Sequence, residues 1–209
     1  AYANGASTEY LRGKVLAQEG LRGELAMVAT GVKHLHHRAL DYDIGAYFEA
    51  NGHGTVIFST ESRAKIAAAA AGPDATLAAK RLLAFSQLIN PAVGDALSDM
   101  LAVHGVLGLE GRSYAEWSQL YAELPSTMTK VLVKDRAAIK TTADEQRVTE
   151  PAALQPLVDA AVQQVAGSRS FVRPSGTEDC VRVYAEAPTL EEANALAAKV
   201  GDEVTKLLG

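Results

Sequence analysis

Residues 44–59 leave this chain little freedom in how it folds. Two short runs rich in β-branched and aromatic residues, 44–49 and 55–59, flank Ala50-Asn51-Gly52-His53-Gly54, an order that predicts a strand, a glycine-rich loop and a second strand. Four stretches with helical character follow, at about 61–71, 76–89, 94–109 and 114–123. They are separated by Gly-Pro, Asn-Pro and Glu-Gly-Arg-Ser breaks. A helical layer covering the first sheet is therefore expected.

The flanking segments extend the same alternation. Residues 25–30 form a short apolar run closed by Gly31 and read as a buried strand, and 32–40 has helical spacing. After Leu124-Pro125, Lys130-Val-Leu-Val-Lys134 alternates as a half-exposed strand, and 154–165 returns to helical spacing. The tail reads as a strand over 170–173, a loop over 174–179, a strand over 181–186 and a helix opened by Thr189-Leu-Glu-Glu192, which has capping-box spacing. The fold class is α/β, with a first domain over 1–110, a connection over 111–125 and a second domain over 126–209.

Composition narrows the function classes. Of 209 residues, 48% are hydrophobic and 22% charged, so disorder and a disulfide scaffold are excluded as architectures. The lone Cys180 fits a reducing compartment, and a cytoplasmic location is expected. The formal net charge of -5 offers no broad attraction to nucleic acid or anionic lipid, and no apolar run approaches the roughly 20 residues of a membrane span. Any anion must be gripped locally. The opening Ala1-Tyr2-Ala3-Asn4-Gly5-Ala6-Ser7-Thr8 lacks an initiator Met and a secretory signal, and reads as a start partway through a protein.

Three segments carry candidate chemistry. Arg173-Pro174-Ser175-Gly176-Thr177-Glu178, with Arg182 on the next strand, combines a stiff turn entry, backbone N–H groups freed by a glycine, two hydroxyls and two guanidinium groups, a set suited to phosphate. The same residues also suit an ordinary tight turn with solvated arginines. Glu49, Asn51 and His53 present a carboxylate, a carboxamide and an imidazole on a loop, matching sugar hydroxyls, while Asn51-Gly52 equally suits a plain hairpin turn. Lys33 and His34, just after a strand end, are candidate ligand contacts. The neighbouring His36 and His37 lack the HExxH spacing or cysteine pair that would argue for zinc, so no metal ligand is assigned.

Together these segments resemble the α-D-phosphohexomutase superfamily. Arg173-Pro-Ser-Gly-Thr-Glu with Arg182 is similar to its C-terminal phosphate loop, and Glu49-Ala-Asn-Gly-His53 to its sugar loop, in the Asn form found in the phosphoacetylglucosamine mutases rather than the commoner Ser form. The segments 30–37 and 1–8 share that similarity. The resemblance implies most of the third and all of the fourth domain of a four-domain enzyme. These would be a mixed sheet with covering helices, incomplete at its start, and then a smaller α+β domain with a mainly antiparallel sheet.

It also implies interconversion of N-acetylglucosamine 6-phosphate and 1-phosphate, on the way to UDP-N-acetylglucosamine, through a bisphosphate that turns around. Arg173, Ser175, Gly176, Thr177 and Arg182 would hold the phosphate, and Glu49 and Asn51 the sugar, supported by His53, Lys33 and His34. The superfamily's phosphoserine loop and its Asp-Gly-Asp-x-Asp-Arg Mg²⁺ loop do not occur in the 209 residues. No catalytic residue is therefore assigned here, Mg²⁺ is expected only with the complete enzyme, and the expected partners are a phosphosugar and the missing N-terminal domains. A sibling hexomutase or a non-catalytic phosphosugar-binding module are the alternatives.

Overall fold

The computed structural model describes residues 3–92, 94–176 and 178–209. Its elements fall into two compact units. One is Gly31–Leu120, and the other joins the described residues up to Thr30 with those from Tyr121 onward. The sequence reading instead places the first 110 residues together. Among the described residues, no helix is long and apolar enough to cross a membrane.

In the Gly31–Leu120 unit, helix α2 (Val32–Ala39) packs beside β1 (Ile44–Phe48), which pairs antiparallel with β2 (Gly54–Phe58). Tyr47, Ile57 and Ala39 close one small core there, and Phe58, Ile66, Ile89 and Ala102 another. The helices α3 (Thr60–Ala71), α4 (Leu77–Leu88) and α5 (Ala96–Glu110) begin where the sequence supplies caps. Ser59 accepts from Ser62 N, Thr76 from Ala79 N, and Asp95 from Leu97 N and Ser98 N, satisfying N–H groups that a first helical turn leaves open.

The sequence expects a longer helix than α6 (Tyr114–Trp117). The Ser113–Glu116 capping box starts it as expected, but the chain further on is held otherwise. The Asn4 carboxamide bonds both backbone groups of Leu124, at 2.9 Å to its oxygen and 3.1 Å from its nitrogen, and Pro125 disfavours helical backbone at residue 124. Residues 25–30 likewise form no strand. A strand needs a ladder, and this run is held instead by side chains: Gln146 against Met27 and Glu145 against Thr30.

The other unit is built on a three-stranded antiparallel sheet in the order β3 (Ser126–Leu132), β7 (Cys180–Glu186), β6 (Arg169–Pro174). Val172, Val181, Val183 and Ala185 face α7 (Leu154–Val162) and α8 (Leu190–Leu208) across the main core, with Leu154, Val158, Leu196, Val200 and Val204. Complete burial of such a side chain contributes about 1.5–3 kcal/mol, so this face holds most of the unit together. The expected capping box opens α8, with Thr189 accepting from Glu192 N at 3.2 Å and Glu192 accepting from Thr189 N at 3.1 Å. A small hairpin of β4 (Lys140–Thr141) and β5 (Val148–Glu150), which the sequence reading did not foresee, lies beside β6.

On the sheet's opposite face Phe171 stacks on Tyr184 at 4.9 Å, with Arg169 over both rings. Glu186, buried beside them, accepts from the Arg169 guanidinium and from Gly5 N, the first residue of α1 (Gly5–Tyr10). The α/β expectation holds, and every ladder among the described residues is antiparallel.

Candidate functional site

The Arg173 and Arg182 side chains are neighbours because the β6–β7 hairpin makes them so. Arg173 is the register partner of Arg182, and Arg182 in turn is the register partner of Lys130 on β3. Residues directly opposite in an antiparallel ladder share a face, so Lys130, Arg182 and Arg173 form a cationic row across the sheet on the side away from α7 and α8. Like charges directly opposite destabilise a sheet unless anions offset them.

Two carboxylates do so. Glu178 bridges Lys130 at 2.8 Å and Arg182 at 3.0 Å, and the charges and hydrogen bonds of these cations hold its carboxyl below the usual range, Lys130 contributing most. Glu145 lies 3.8 Å from Arg173 Nε, while Arg173 Nη1 donates to the Pro174 carbonyl at 3.2 Å.

The loop closes between these strands. Ser175 N donates to Cys180 O at 2.9 Å, Cys180 N to Glu178 O at 2.8 Å, and Glu178 N to the Ser175 hydroxyl at 3.3 Å. Arg136 adds a further cation by donating to the Glu178 carbonyl at 3.1 Å. A Cβ built on Gly176 would meet nothing within 4 Å among the described residues, so no close approach forces a glycine there. Thr177 lies outside the described residues. The sequence reading put Arg173, Ser175 and Arg182 together, and the structure does the same. It missed Lys130, Arg136 and Glu145, of which only Lys130 left a signal, in the alternation of the 130–134 run.

The loop of the other unit is equally ordered. Phe48 pairs with Gly54, and between them Glu49 N donates to His53 O at 2.8 Å and Gly52 N to Glu49 O at 3.0 Å, with Gly52 at φ +85, where glycine is favoured. Asn51 links the other two candidates: its Nδ2 donates to Glu49 Oε2 at 3.4 Å, and its Oδ1 accepts from His53 N at 3.0 Å. Asn51 and His53 are exposed and Glu49 half-buried, so these side chains are brought together at a surface. The next residue, Gly54, lies so close to Gly94 that a Cβ on Gly94 would fall 1.8 Å from the Gly54 oxygen.

Lys33 and His34 are exposed in the first turn of α2, with His34 N bonded to Gly31 O at 2.9 Å. Their neighbour His36 is structural, its Nδ1 lying 3.0 Å from the Tyr47 hydroxyl. No group of three or more His, Cys, Asp or Glu able to hold a metal ion exists among the described residues. The residues present do not fit a Mg²⁺ site.

Comparison with known proteins turns this geometry into a family assignment. Residues 1–112 match the family model described as "Phosphoacetylglucosamine mutase AMG1, domain III", and residues 128–203 match "Phosphoglucomutase/phosphomannomutase, C-terminal domain". The chain is 51% identical to the phosphoacetylglucosamine mutase of Oryza sativa subsp. japonica over 216 residues, covering all of this chain and 37% of that protein. It is 46% identical to the human one over 211 residues, again covering all of this chain and 38% of that protein.

A crystal structure of an N-acetylglucosamine-phosphate mutase in its substrate complex superposes with a TM-score of 0.87 at 48% identity, over 97% of this chain and 37% of that one. The Aspergillus fumigatus enzyme in complex with GlcNAc-6P and magnesium gives 0.86 at 43% identity, over 99% and 38%. The chain thus spans less than two-fifths of the length of these relatives. With a third-domain match over its first half, a hexomutase C-terminal match after it and both candidate loops in place, the chain belongs to the phosphoacetylglucosamine mutase family.

Proposed function

We propose that this chain is the substrate-holding C-terminal part of an enzyme that interconverts N-acetylglucosamine 6-phosphate and N-acetylglucosamine 1-phosphate, a step towards UDP-N-acetylglucosamine. The observation that carries the reading is the row Lys130–Arg182–Arg173 beside the loop at Ser175. A cationic row that needs two carboxylates to offset it is a ready acceptor for a phosphate dianion, which guanidinium groups grip in bidentate geometry.

On this reading Arg173, Ser175, Gly176, Thr177 and Arg182 hold the phosphate that is not reacting. Glu49 and Asn51, with His53, Lys33 and His34 around them, hold sugar groups. Each grip contributes to catalysis by positioning the group that it holds, which removes entropy from the reaction before it starts. The phosphoryl donor and the Mg²⁺ of the complete enzyme belong to the domains that the relatives carry outside the span matched here, and those domains are this chain's partners. The chain by itself binds phosphosugar and turns nothing over. A cytoplasmic location goes with that role.

Calorimetry with N-acetylglucosamine 6-phosphate tests the grip. A charge-assisted hydrogen bond contributes about 1.5–3 kcal/mol, so Arg182→Ala and Arg173→Ala should each weaken binding about tenfold or more. Unchanged affinity in both variants would refute the assignment.

A further inference from the structure

We propose that Glu145, which belongs to none of the motifs above, is a positioning residue that sets the Arg173 guanidinium for phosphate. The inference rests on the reading of Arg173 as a phosphate ligand. Glu145 sits in the turn between β4 and β5, where its N–H donates to Thr142 O at 2.9 Å, and its backbone has φ +58. It is the one non-glycine residue among those described with positive φ. L-residues avoid that region, and such conformations persist where the surrounding structure holds them, often at working sites.

The side chain shows what holds it. Glu145 Oε2 accepts from both donors of Thr30, the backbone N–H at 3.0 Å and the hydroxyl at 2.7 Å, and the same oxygen lies 3.8 Å from Arg173 Nε. Both members of the pair are largely sheltered, with side-chain exposures of 14% for Arg173 and 19% for Glu145. Held by Thr30, the carboxylate is a fixed anion, unlike one on a free surface side chain.

A fixed anion beside Nε acts on Arg173 in two ways. It offsets the repulsion between Arg173 and its cross-strand partner Arg182, and together with the bond from Nη1 to the Pro174 carbonyl it restrains the guanidinium beside the loop. An arginine already restrained loses less rotamer freedom when it takes up an anion, so the contribution belongs to binding and not to the chemical step. Glu145 touches no substrate in this account.

The test uses the intact protein carrying this chain. Glu145→Gly removes the carboxylate while suiting the positive φ, so the turn should survive, and thermal melting checks that it does. Affinity for N-acetylglucosamine 6-phosphate should fall roughly three- to tenfold, with KM rising by the same factor and kcat unchanged. Glu145→Gln, which keeps an acceptor for Thr30, should fall between that variant and the parent. Unchanged or tighter binding in Glu145→Gly, or a loss confined to kcat, overturns the inference, and if Arg173→Ala still loses tenfold the phosphate reading stands without it. Undiminished affinity in Arg173→Ala overturns this inference together with the reading of Arg173 as a phosphate ligand.

Discussion

The Tyr184 hydroxyl donates to Glu186 at 2.8 Å, two residues along one strand, and thereby joins a buried carboxylate that also holds Arg169 and Gly5. Burial, followed by the hydrogen bond to Glu186, pushes the Tyr184 hydroxyl up to about 12. A group whose pKa is raised on folding stabilises the fold fully below its unfolded value near 10 and loses that contribution as pH climbs through the folded one. Stability measured by urea unfolding should therefore decline between about pH 10 and 12 in the parent, and less steeply in Tyr184→Phe.

Glu186→Ala leaves the Arg169 guanidinium without the carboxylate that it now meets at 3.0 Å on a nearly covered face. Removing one partner of a sheltered ion pair is strongly destabilising, so a loss of about 3 kcal/mol is expected in urea titrations. A change below about 0.5 kcal/mol would show that water already screens the pair.

The carboxyl of Glu178 should titrate below the ordinary glutamate range by NMR, and Lys130→Met should bring it back towards that range, because Lys130 supplies the largest part of the depression. The sign for stability is the opposite of that for Tyr184. This contribution is complete above the unfolded glutamate value and disappears as pH falls through the lower folded one. Titration of Glu178 at the same pH in parent and variant would remove Lys130 from the cationic row as an electrostatic partner.

On the function proposed above, Asn51→Ser should narrow a preference for N-acetylglucosamine phosphate over glucose phosphate in the intact protein. A shorter side chain at 51 cannot keep both the 3.4 Å bond to Glu49 and the 3.0 Å bond from His53 N that organise the loop. The ratio of kcat/KM for the two sugars is the measurement, since discrimination is a difference of affinities. An identical ratio would reduce Asn51 to a turn residue.

Gly94→Ala should destabilise the Gly31–Leu120 unit by about 1–3 kcal/mol and disturb the loop over residues 49–54, because the new methyl would have to displace the Gly54 backbone from 1.8 Å away. Amide chemical shifts at Glu49, Asn51 and His53 would move together in the variant. Shifts confined to the neighbours of residue 94 would mean that the loop does not depend on that contact.

What could be read in advance was local. Thr189 and Glu192 announce the start of α8 because a capping box is written within four residues, and 44–59 announces a hairpin because its loop chemistry lies between its strands. Arg173 and Arg182 were legible as a pair because they flank one short loop. Features set by distant partners were not. Leu124 leaves the helical path because Asn4 binds it, residues 25–30 have the composition of a strand but no ladder, and β3 extends to Ser126 only because β7 offers Glu186 as its register partner. Glu145 carries no motif at all, since its tie to Arg173 exists only once β4, β5 and β6 lie side by side.

The sheet-based unit draws on both flanks of Gly31–Leu120, and this imposes an order on biosynthesis. Gly5 leaves the ribosome 181 residues before Glu186, its hydrogen-bond partner. At about 5–20 residues per second that is a wait of roughly 10–40 s. During that interval the uninterrupted Gly31–Leu120 segment has both strands of its hairpin and its two small cores to hand, whereas Gly5 still waits for Glu186. A nascent chain stalled just after Leu120 should therefore protect Gly31–Leu120 from protease while the segment around Gly5 stays open to cleavage, and protection of that segment should arrive only with β7.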